Sequence, residues 1–493
     1  MAEPVSWPTR DLLSHRAGTT PERTALVDAD TGRTVTYRSL DAEVDSVAAV
    51  LADRAGGGTV ATLMDTRPAI GRLLFGTMRS GATLAPLNPE LDAETLRAQL
   101  AAVGADLLVC ERGTEERAAG IAECPVSSVD EPTTPGTTPM AATDDETAVE
   151  PATLRRDETA LVLFTSGTTS DPKGVRLTVG NLVASATASA FRLGVTPGDR
   201  WLACLPCYHM GGLAPFVRCV LYGAAVVVQR SFEPTATAAV MADHGVTGVS
   251  LVPTMLRRLL DSGWEPRPEL RFVLLGGGPA SPELLDRCEK REVPACPTYG
   301  MTETASQVAT ALPDTAFEYR GTVGQPLVTT DVTVLADGDP VPPGERGELV
   351  VAGPTVTPGY LDDDRTDAAF GPHGFHTGDL GYRDEDGRLW VVGRADDRIV
   401  TGGENVAAEA VAATIRDCPG VEDAAVVGVA DEEWGQRVAA LVVGTASEAA
   451  VVEHCRAELA DYEVPKTVAF AESLPRTASG TVDRVAVRER LQP

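Results

Sequence analysis

The chain has 493 residues, 43% of them hydrophobic, and its 71 acidic against 42 basic side chains give a formal net charge of −29. That length exceeds one hydrophobic core and points to about two to four structural units, while the charge excludes nucleic acid and anionic membranes as partners over most of the surface. No apolar run is long enough for a bilayer span, Met1–Thr20 lacks the apolar stretch of a signal peptide, and nine scattered cysteines fit ordinary thiols in a reducing cytoplasm.

Cys204 and Cys207 have C-x-x-C spacing, but no second ligand pair follows at zinc-site distance. The chain holds only three lysines, Lys173, Lys290 and Lys466. Acid excess with so little lysine reads as a halophilic trait, because a salt-rich cytoplasm screens self-repulsion. A GC-rich genome would also favour Arg and Ala but leaves the acid excess unexplained.

From the N-terminus to about residue 120, strand and helix patterns alternate. Thr34-Val35-Thr36-Tyr37 followed by Ser39-Leu40-Asp41-Ala42-Glu43 reads as a strand entering a capped helix. Residues Val126 to Asp157 are rich in Pro, Thr and acids without periodicity, which reads as an exposed connection. An α/β body resumes at Leu161 and runs to about Val392, its strand-then-helix repetition implying mainly parallel sheets. From Asp396 a smaller unit follows, with strands near Ala424–Val429 and Ala439–Val443. No internal repeat is evident.

The buried-strand pattern Leu161-Val162-Leu163-Phe164 runs into Thr165-Ser166-Gly167-Thr168-Thr169-Ser170-Asp171-Pro172-Lys173-Gly174. Glycines permit close approach to an anion, hydroxyls and backbone N–H groups donate to phosphate oxygens, and Lys173 supplies a point charge. The spacing is not that of a Walker loop. On this segment alone a flexible surface loop is an equal reading.

Further segments decide between them. Thr165–Gly174 resembles the [ST]-S-G-[ST]-T-G-x-P-K-G loop of acyl-adenylate-forming enzymes. Tyr299-Gly300-Met301-Thr302-Glu303 resembles their Y-G-x-T-E motif, and His376-Thr377-Gly378-Asp379-Leu380 and Gly393-Arg394-Ala395-Asp396-Asp397 follow in the family's order. The resemblance runs from Leu12 to the Pro475–Arg484 tail. It implies a large N-terminal domain of mainly parallel sheets with flanking helices (1–392), a hinge (393–398) centred on Asp396, and a small mobile α+β C-terminal domain (399–493). It also implies that ATP converts a carboxylate to an acyl-AMP and that coenzyme A then takes the acyl group.

The same resemblance assigns roles. Thr165, Ser166, Gly167, Thr168, Thr169 and Lys173 would cradle the phosphates, and Thr302 would donate to the α-phosphate. Glu303 would hold Mg2+, since hard cations prefer carboxylate oxygen. Gly276, Gly277, Gly278 and Pro279 would pack on adenine, although a tight turn explains the glycines equally well, and Tyr299, Gly300 and Met301 would also bind ATP or AMP. Asp379 would accept hydrogen bonds from the ribose hydroxyls, and Arg394 would contact the ribose or phosphate side. Gly402, Gly403, Glu404 and Asn405 would line the coenzyme A channel. A homodimer is left open.

Pro206-Cys207-Tyr208-His209-Met210-Gly211-Gly212-Leu213, Arg218 and the Ser306-Gln307 pair are similar to the 2-succinylbenzoate–CoA ligase branch of the family, which serves menaquinone biosynthesis. Arg218 would then grip the carboxylate that does not react, with Tyr208, His209 and Ser306 around the acyl group. For Arg218 the competing reading is a structural salt bridge, and for His209 a core residue. Another aromatic or fatty acid remains an alternative substrate, and an acyl- or nucleotide-binding protein with impaired adenylation is a further one. The last rests on Thr481, one of three places where the chain departs from the family. Ser170 stands where glycine is usual, Val406-Ala407-Ala408-Glu409 is one residue shorter than in relatives, and Thr481 occupies the place of a tail lysine. Either Arg476 or Arg484 would replace that charge, or adenylation is slow.

Overall fold

The computed structural model describes residues 11–140, 150–165, 172–395, 398–401, 404–431, 434–476 and 482–492. Two compact units divide the chain, Met1–Asp331 with Ala352–Pro372, and Val332–Val351 with His373–Pro493.

The first unit contains two eight-stranded sheets. One runs in the order Ala309–Thr310, Ala295–Tyr299, Phe272–Leu275, Gly248–Leu251, Arg200–Ala203, Ala225–Val228, Thr24–Asp28, Thr34–Thr36. Its inner pairs are all parallel. Ala225–Val228 and Gly248–Leu251 are buried at every position, as strands covered on both faces must be. Helix Pro253–Asp261 buries Leu256, Leu259 and Leu260 against Val249 and Val273, and helix Pro282–Lys290 adds Leu284 and Leu285. These fall at helical i, i+3, i+4 spacing, and each buried leucine contributes roughly 1.5–3 kcal/mol. The expected strand entering a capped helix is present: Thr34–Thr36 leads into Tyr37–Ala55, and the Thr36 side chain accepts from the Ser39 N–H.

The second sheet of this unit runs Gly359–Tyr360, Lys173–Thr178, Thr159–Thr165, Thr83–Leu87, Thr59–Leu63, Ala105–Cys110, Val126–Ser128, Thr137–Pro139. Its last two strands correct the reading of residues 126 onward as an exposed connection. Val126–Ser128 is wholly buried and pairs in parallel with Leu108–Cys110, and Thr137–Pro139 adds outside it. Polar anchors hold them instead of apolar periodicity. Arg54 Nη1 donates to Ser127 Oγ at 2.7 Å and Thr138 Oγ1 at 2.8 Å. The buried Glu115 carboxylate accepts from Ser128 Oγ (2.8 Å) and from the Thr133 and Thr134 N–H groups (2.8 and 3.1 Å).

The Thr133 N–H, outweighing burial together with the Ser128 and Thr133 hydroxyls, holds the Glu115 carboxyl at about 2, down from 4.5. A depressed carboxylate stabilises the fold above its unfolded pKa and loses that contribution as pH falls through the folded value. Amide hydrogen-exchange protection at Thr133 and Thr134 should therefore collapse between pH 4.5 and about 2. In Glu115→Gln it should be weak already at neutral pH, and protection that is unchanged by acid would refute the anchor.

Three helices of the first unit share a buried ion cluster. Arg79, 2% exposed, donates Nε and Nη2 to Asp11 (3.1 Å each), Nη2 to Asp41 (2.6 Å) and Nη1 to Asp45 (2.6 Å). Asp11 caps helix Leu12–Thr19, Asp41 and Asp45 lie on Tyr37–Ala55, and Arg79 ends Pro68–Ser80, so one guanidinium ties three helices.

The second unit takes in Val332–Val351 and resumes at His373. Strands Gly347–Ala352, Gly374–Arg383 and Leu389–Arg394 pair antiparallel, so the parallel-sheet expectation fails for this stretch: a short turn joins the last two strands, and the helix Asp363–Ala369 between the first two does not make them parallel. The same unit holds a five-stranded sheet from residue 398 onward, built on the long hairpin Val421–Asp431 and Gly435–Gly444. Helices Ala408–Arg416 and Glu448–Glu458 cover one face and Arg484–Leu491 the other. Among the described residues no helix is long and apolar enough to cross a membrane.

Candidate active site

Parallel strands end on the same edge of their sheet, where α/β proteins form their crevices. At that edge three sequence-predicted segments emerge together: Cys204–His209 after Arg200–Ala203, Gly276–Pro279 after Phe272–Leu275, and Gly300–Gln307 after Ala295–Tyr299. Gly277, Gly278 and Pro279 are exposed, with Gly277 at φ +75° in a tight turn.

The segment after Tyr299 folds back sharply on itself. Thr302–Thr304 forms a short 3-10 turn, and Ala305 and Ser306 take φ +51° and +116°, a strained backbone for residues with a Cβ. A Cβ at Gly300 would sit 1.7 Å from the Ser306 carbonyl oxygen, so only glycine lets the loop close. Ser185 Oγ clamps it by donating to the Ala305 carbonyl at 2.6 Å.

Closure brings Ser306 to Arg218. Arg218 lies on helix Met210–Tyr222, is 1% exposed, and donates from Nη2 to Ser306 Oγ at 3.0 Å. Its guanidinium carbon lies 5.1 Å from the centre of the Trp201 ring, a cation–π contact. Trp201 is fixed in turn by its indole N–H donating to Ser250 Oγ at 3.0 Å. Among the described residues no carboxylate pairs with Arg218, and its Nε has no hydrogen-bond partner. Burial lowers its pKa to about 10, which leaves it charged at neutral pH. The structural salt bridge considered from sequence is thus not what holds Arg218 among these residues. The geometry adds that Ser306, partly exposed, stands in front of the buried cation.

Tyr208 and His209 stack edge to face with ring centres 4.8 Å apart. Thr66 fixes their loop: its hydroxyl donates to the Leu205 carbonyl at 2.9 Å and accepts the Cys207 N–H at 3.2 Å. Burial, then the charges of Glu90 and Asp65, push the Tyr208 phenol up to about 12, so it is a neutral donor.

In the other sheet Thr165 and Lys173 are cross-strand partners at the end of an antiparallel hairpin. The phosphate-loop residues Ser166, Gly167, Thr168, Thr169 and Ser170 between them lie outside the described residues. Glu303 is joined to this hairpin by a residue that sequence reading missed. Tyr360, paired with Val175, donates its phenol to Glu303 Oε1 at 3.0 Å.

In the second unit Asp379 and Arg394 face each other on paired strands, Arg394 Nη1 donating to Asp379 Oδ1 at 3.3 Å. Asp379 is 8% exposed. Glu348, also missed, sets its turn: Oε1 accepts the Gly378 N–H at 3.0 Å and Oε2 meets His376 Nδ1 at 2.8 Å. Arg476 pairs with Asp423 at 2.6 Å and Arg484 with Glu409 at 3.0 Å. Burial, then the nearby charges of Arg394 and Arg488, lower the Arg484 pKa. Glu404 is exposed on the short strand that also carries Asn405. Asp396, Gly402, Gly403 and Thr481 lie outside the described residues.

All nine cysteines are free. Burial raises the thiols of Cys204 and Cys207 to about 12, so neither is a nucleophile at neutral pH.

Residues 13–361 match the AMP-binding enzyme family and residues 410–481 match the AMP-binding enzyme C-terminal domain. The chain is 36% identical over 486 residues to the 2-succinylbenzoate–CoA ligase of Bacillus velezensis, with 97% of each covered. It superposes with a TM-score of 0.89, at 33% identity and 98% coverage of both chains, on the o-succinylbenzoate CoA synthetase (MenE) of Bacillus subtilis in complex with the acyl-adenylate intermediate OSB-AMP. The same Bacillus subtilis enzyme in complex with ATP and magnesium ion gives 0.87 at 33% identity, over 97% of this chain and 98% of that one. The crevice-edge loops, the Thr165–Lys173 hairpin and the Asp379 turn are thus found in a chain that matches, almost end to end, proteins caught with adenylate and with ATP. This chain belongs to the AMP-binding enzyme family.

Proposed function

We propose that this protein is an ATP-dependent 2-succinylbenzoate–CoA ligase of menaquinone biosynthesis. The observation that carries the substrate assignment is the buried guanidinium of Arg218, held by Ser306 and Trp201 with no carboxylate among the described residues to neutralise it. A buried unpaired cation is costly unless something anionic completes it. A dicarboxylate substrate does so with the carboxylate that does not react. Ser306 is placed to accept from Arg218 Nη2 while donating its own proton outward, so the substrate meets the hydroxyl first and the cation behind it.

In the first half-reaction the other carboxylate attacks the α-phosphorus of ATP, forming the acyl-AMP and releasing pyrophosphate. In the second, the thiol of coenzyme A attacks the acyl carbon and AMP leaves. Attack of one anion on another requires positive charge and donors fixed beforehand. Lys173 and the Thr165 hydroxyl flank the phosphate loop, Thr302 donates to the α-phosphate, Tyr208 and His209 border the acyl group, and Asp379 accepts from the ribose with Arg394 beside it. Asp396 serves as the hinge of a mobile C-terminal domain, Gly402–Asn405 face coenzyme A, and Arg476 or Arg484 replaces the tail lysine absent at Thr481.

The donor set fits magnesium. Among the described residues no group of three His, Cys, Asp or Glu side chains forms a cage, and magnesium is usually held by one or two carboxylates plus substrate phosphates. Glu303 is that carboxylate. The ion supplies charge that offsets the phosphates and stabilises the leaving pyrophosphate.

The direct test is AMP release, dependent on coenzyme A, across a panel of carboxylic acids. 2-Succinylbenzoate should give the highest kcat/KM, and benzoate or a fatty acid, which lack the second carboxylate, should lose roughly tenfold or more. Equal turnover of monocarboxylates would overturn the assignment.

A further inference from the structure

Residues 354–361 form a bracket within the first unit. Gly359 and Tyr360 pair with Arg176 and Val175, and the Leu361 N–H donates to the Gly174 carbonyl at 2.8 Å. Both contacts fall on the strand that Lys173 opens. The Tyr360 N–H is anchored to Thr366 Oγ1 at 2.9 Å, and a Cβ on Gly359 (φ +141°) would strike Thr366 at 2.3 Å, so the turn is fixed on both sides. Upstream, Asn181 Nδ2 donates to the Pro354 and Val356 carbonyls at 2.9 and 2.8 Å. The bracket reaches Glu303 twice: the Thr357 N–H donates to its backbone carbonyl at 2.7 Å, and the Tyr360 phenol donates to its Oε1 at 3.0 Å.

We propose that Tyr360 is the positioning residue that orients the Glu303 carboxylate for the divalent cation, locking it to the strand that carries Lys173. This rests on the reading of Glu303 as the magnesium carboxylate. A carboxylate on a three-residue turn can rotate about its side-chain torsions. One phenol donor, itself 8% exposed and rigid, consumes a lone pair of Oε1 and fixes the plane of the group. The remaining lone pairs then face a set direction, as donors behind metal ligands generally achieve. Because the bracket's backbone is held independently, Tyr360→Phe removes one hydroxyl and leaves the ring packing in place.

The test measures ATP binding by titration calorimetry on the full chain without acyl substrate, so nothing turns over. Affinity is compared in EDTA and in saturating magnesium, and the ratio is the gain due to the metal. Tyr360→Phe should leave the EDTA affinity unchanged and shrink the gain several-fold, up to about tenfold. Glu303→Gln should abolish the gain, and adding Tyr360→Phe to it should change the gain no further, because the phenol acts on the metal through that carboxylate. A full gain in Tyr360→Phe, or an equal loss in the Gln background, overturns the proposal. A full gain in Glu303→Gln instead overturns the reading of Glu303 itself, so the two failures are distinguishable.

Discussion

Arg218→Met should raise the KM for 2-succinylbenzoate roughly ten- to a hundredfold while the KM for ATP moves little. Methionine removes the charge and nearly preserves volume, so lost packing does not confound the result. The scale follows from losing a charge-assisted contact in a dry site, about 1.5–3 kcal/mol, at tenfold per roughly 1.4 kcal/mol. Arg218 is buried behind Ser306, so Ser306→Ala should act in the same direction with a smaller effect. It removes the hydroxyl that meets the carboxylate but leaves the cation. Steady-state kinetics varying each substrate separately decides the matter. Equal rises in both KM values would make Arg218 a structural residue.

The largest expected loss of stability lies elsewhere, at Arg79. Arg79→Ala should cost about 3–5 kcal/mol, because removing one partner of a buried ion pair strands the other. Asp11 is 1% exposed and cannot rehydrate in place, while Asp41 and Asp45, with side chains 28% and 62% exposed, can turn to water. Most of the loss should therefore trace to Asp11. Arg79→Met combined with Asp11→Leu should recover a large part of it, since an apolar replacement of the whole pair is often neutral. Arg79→Lys should remain well below wild type, because one ammonium cannot match a fork that serves three carboxylates. Denaturant midpoints by circular dichroism test the series, and a change below about 1 kcal/mol for Arg79→Ala would show that the cluster is hydrated after all.

Parallel strands, the capped helix at Thr36 and the order of the nucleotide loops were legible because each is local: periodicity, a cap, or a run of a few residues. What escaped were partners distant in sequence. Tyr360 meets Glu303 across 57 residues and Ser306 meets Arg218 across 88. The second pair was guessed residue by residue, but not that one side chain stands before the other. The strands at Val126–Ser128 and Thr137–Pro139 were missed for a related reason. Their stability comes from Glu115 and Arg54, and a polar sequence satisfied by buried charges carries no apolar rhythm. The antiparallel stretch ending at Arg394 was misread because a hairpin strand and a crossover strand look alike until their connection is known.

The outer strands of the two large sheets have a consequence for solubility. Ala309–Thr310, Thr34–Thr36, Gly359–Tyr360 and Thr137–Pro139 are two or three residues long. Exposed sheet edges recruit strands from other molecules, and many proteins deter this with charge. In concentrated salt that deterrent weakens, since the Debye length falls to about 3 Å at 1 M. Short rims work at any ionic strength because they offer too few free donors and acceptors to template a neighbour. Pro139 has no N–H to offer at all. Margins this short limit edge-to-edge pairing of this highly acidic chain at ionic strengths that screen its charge.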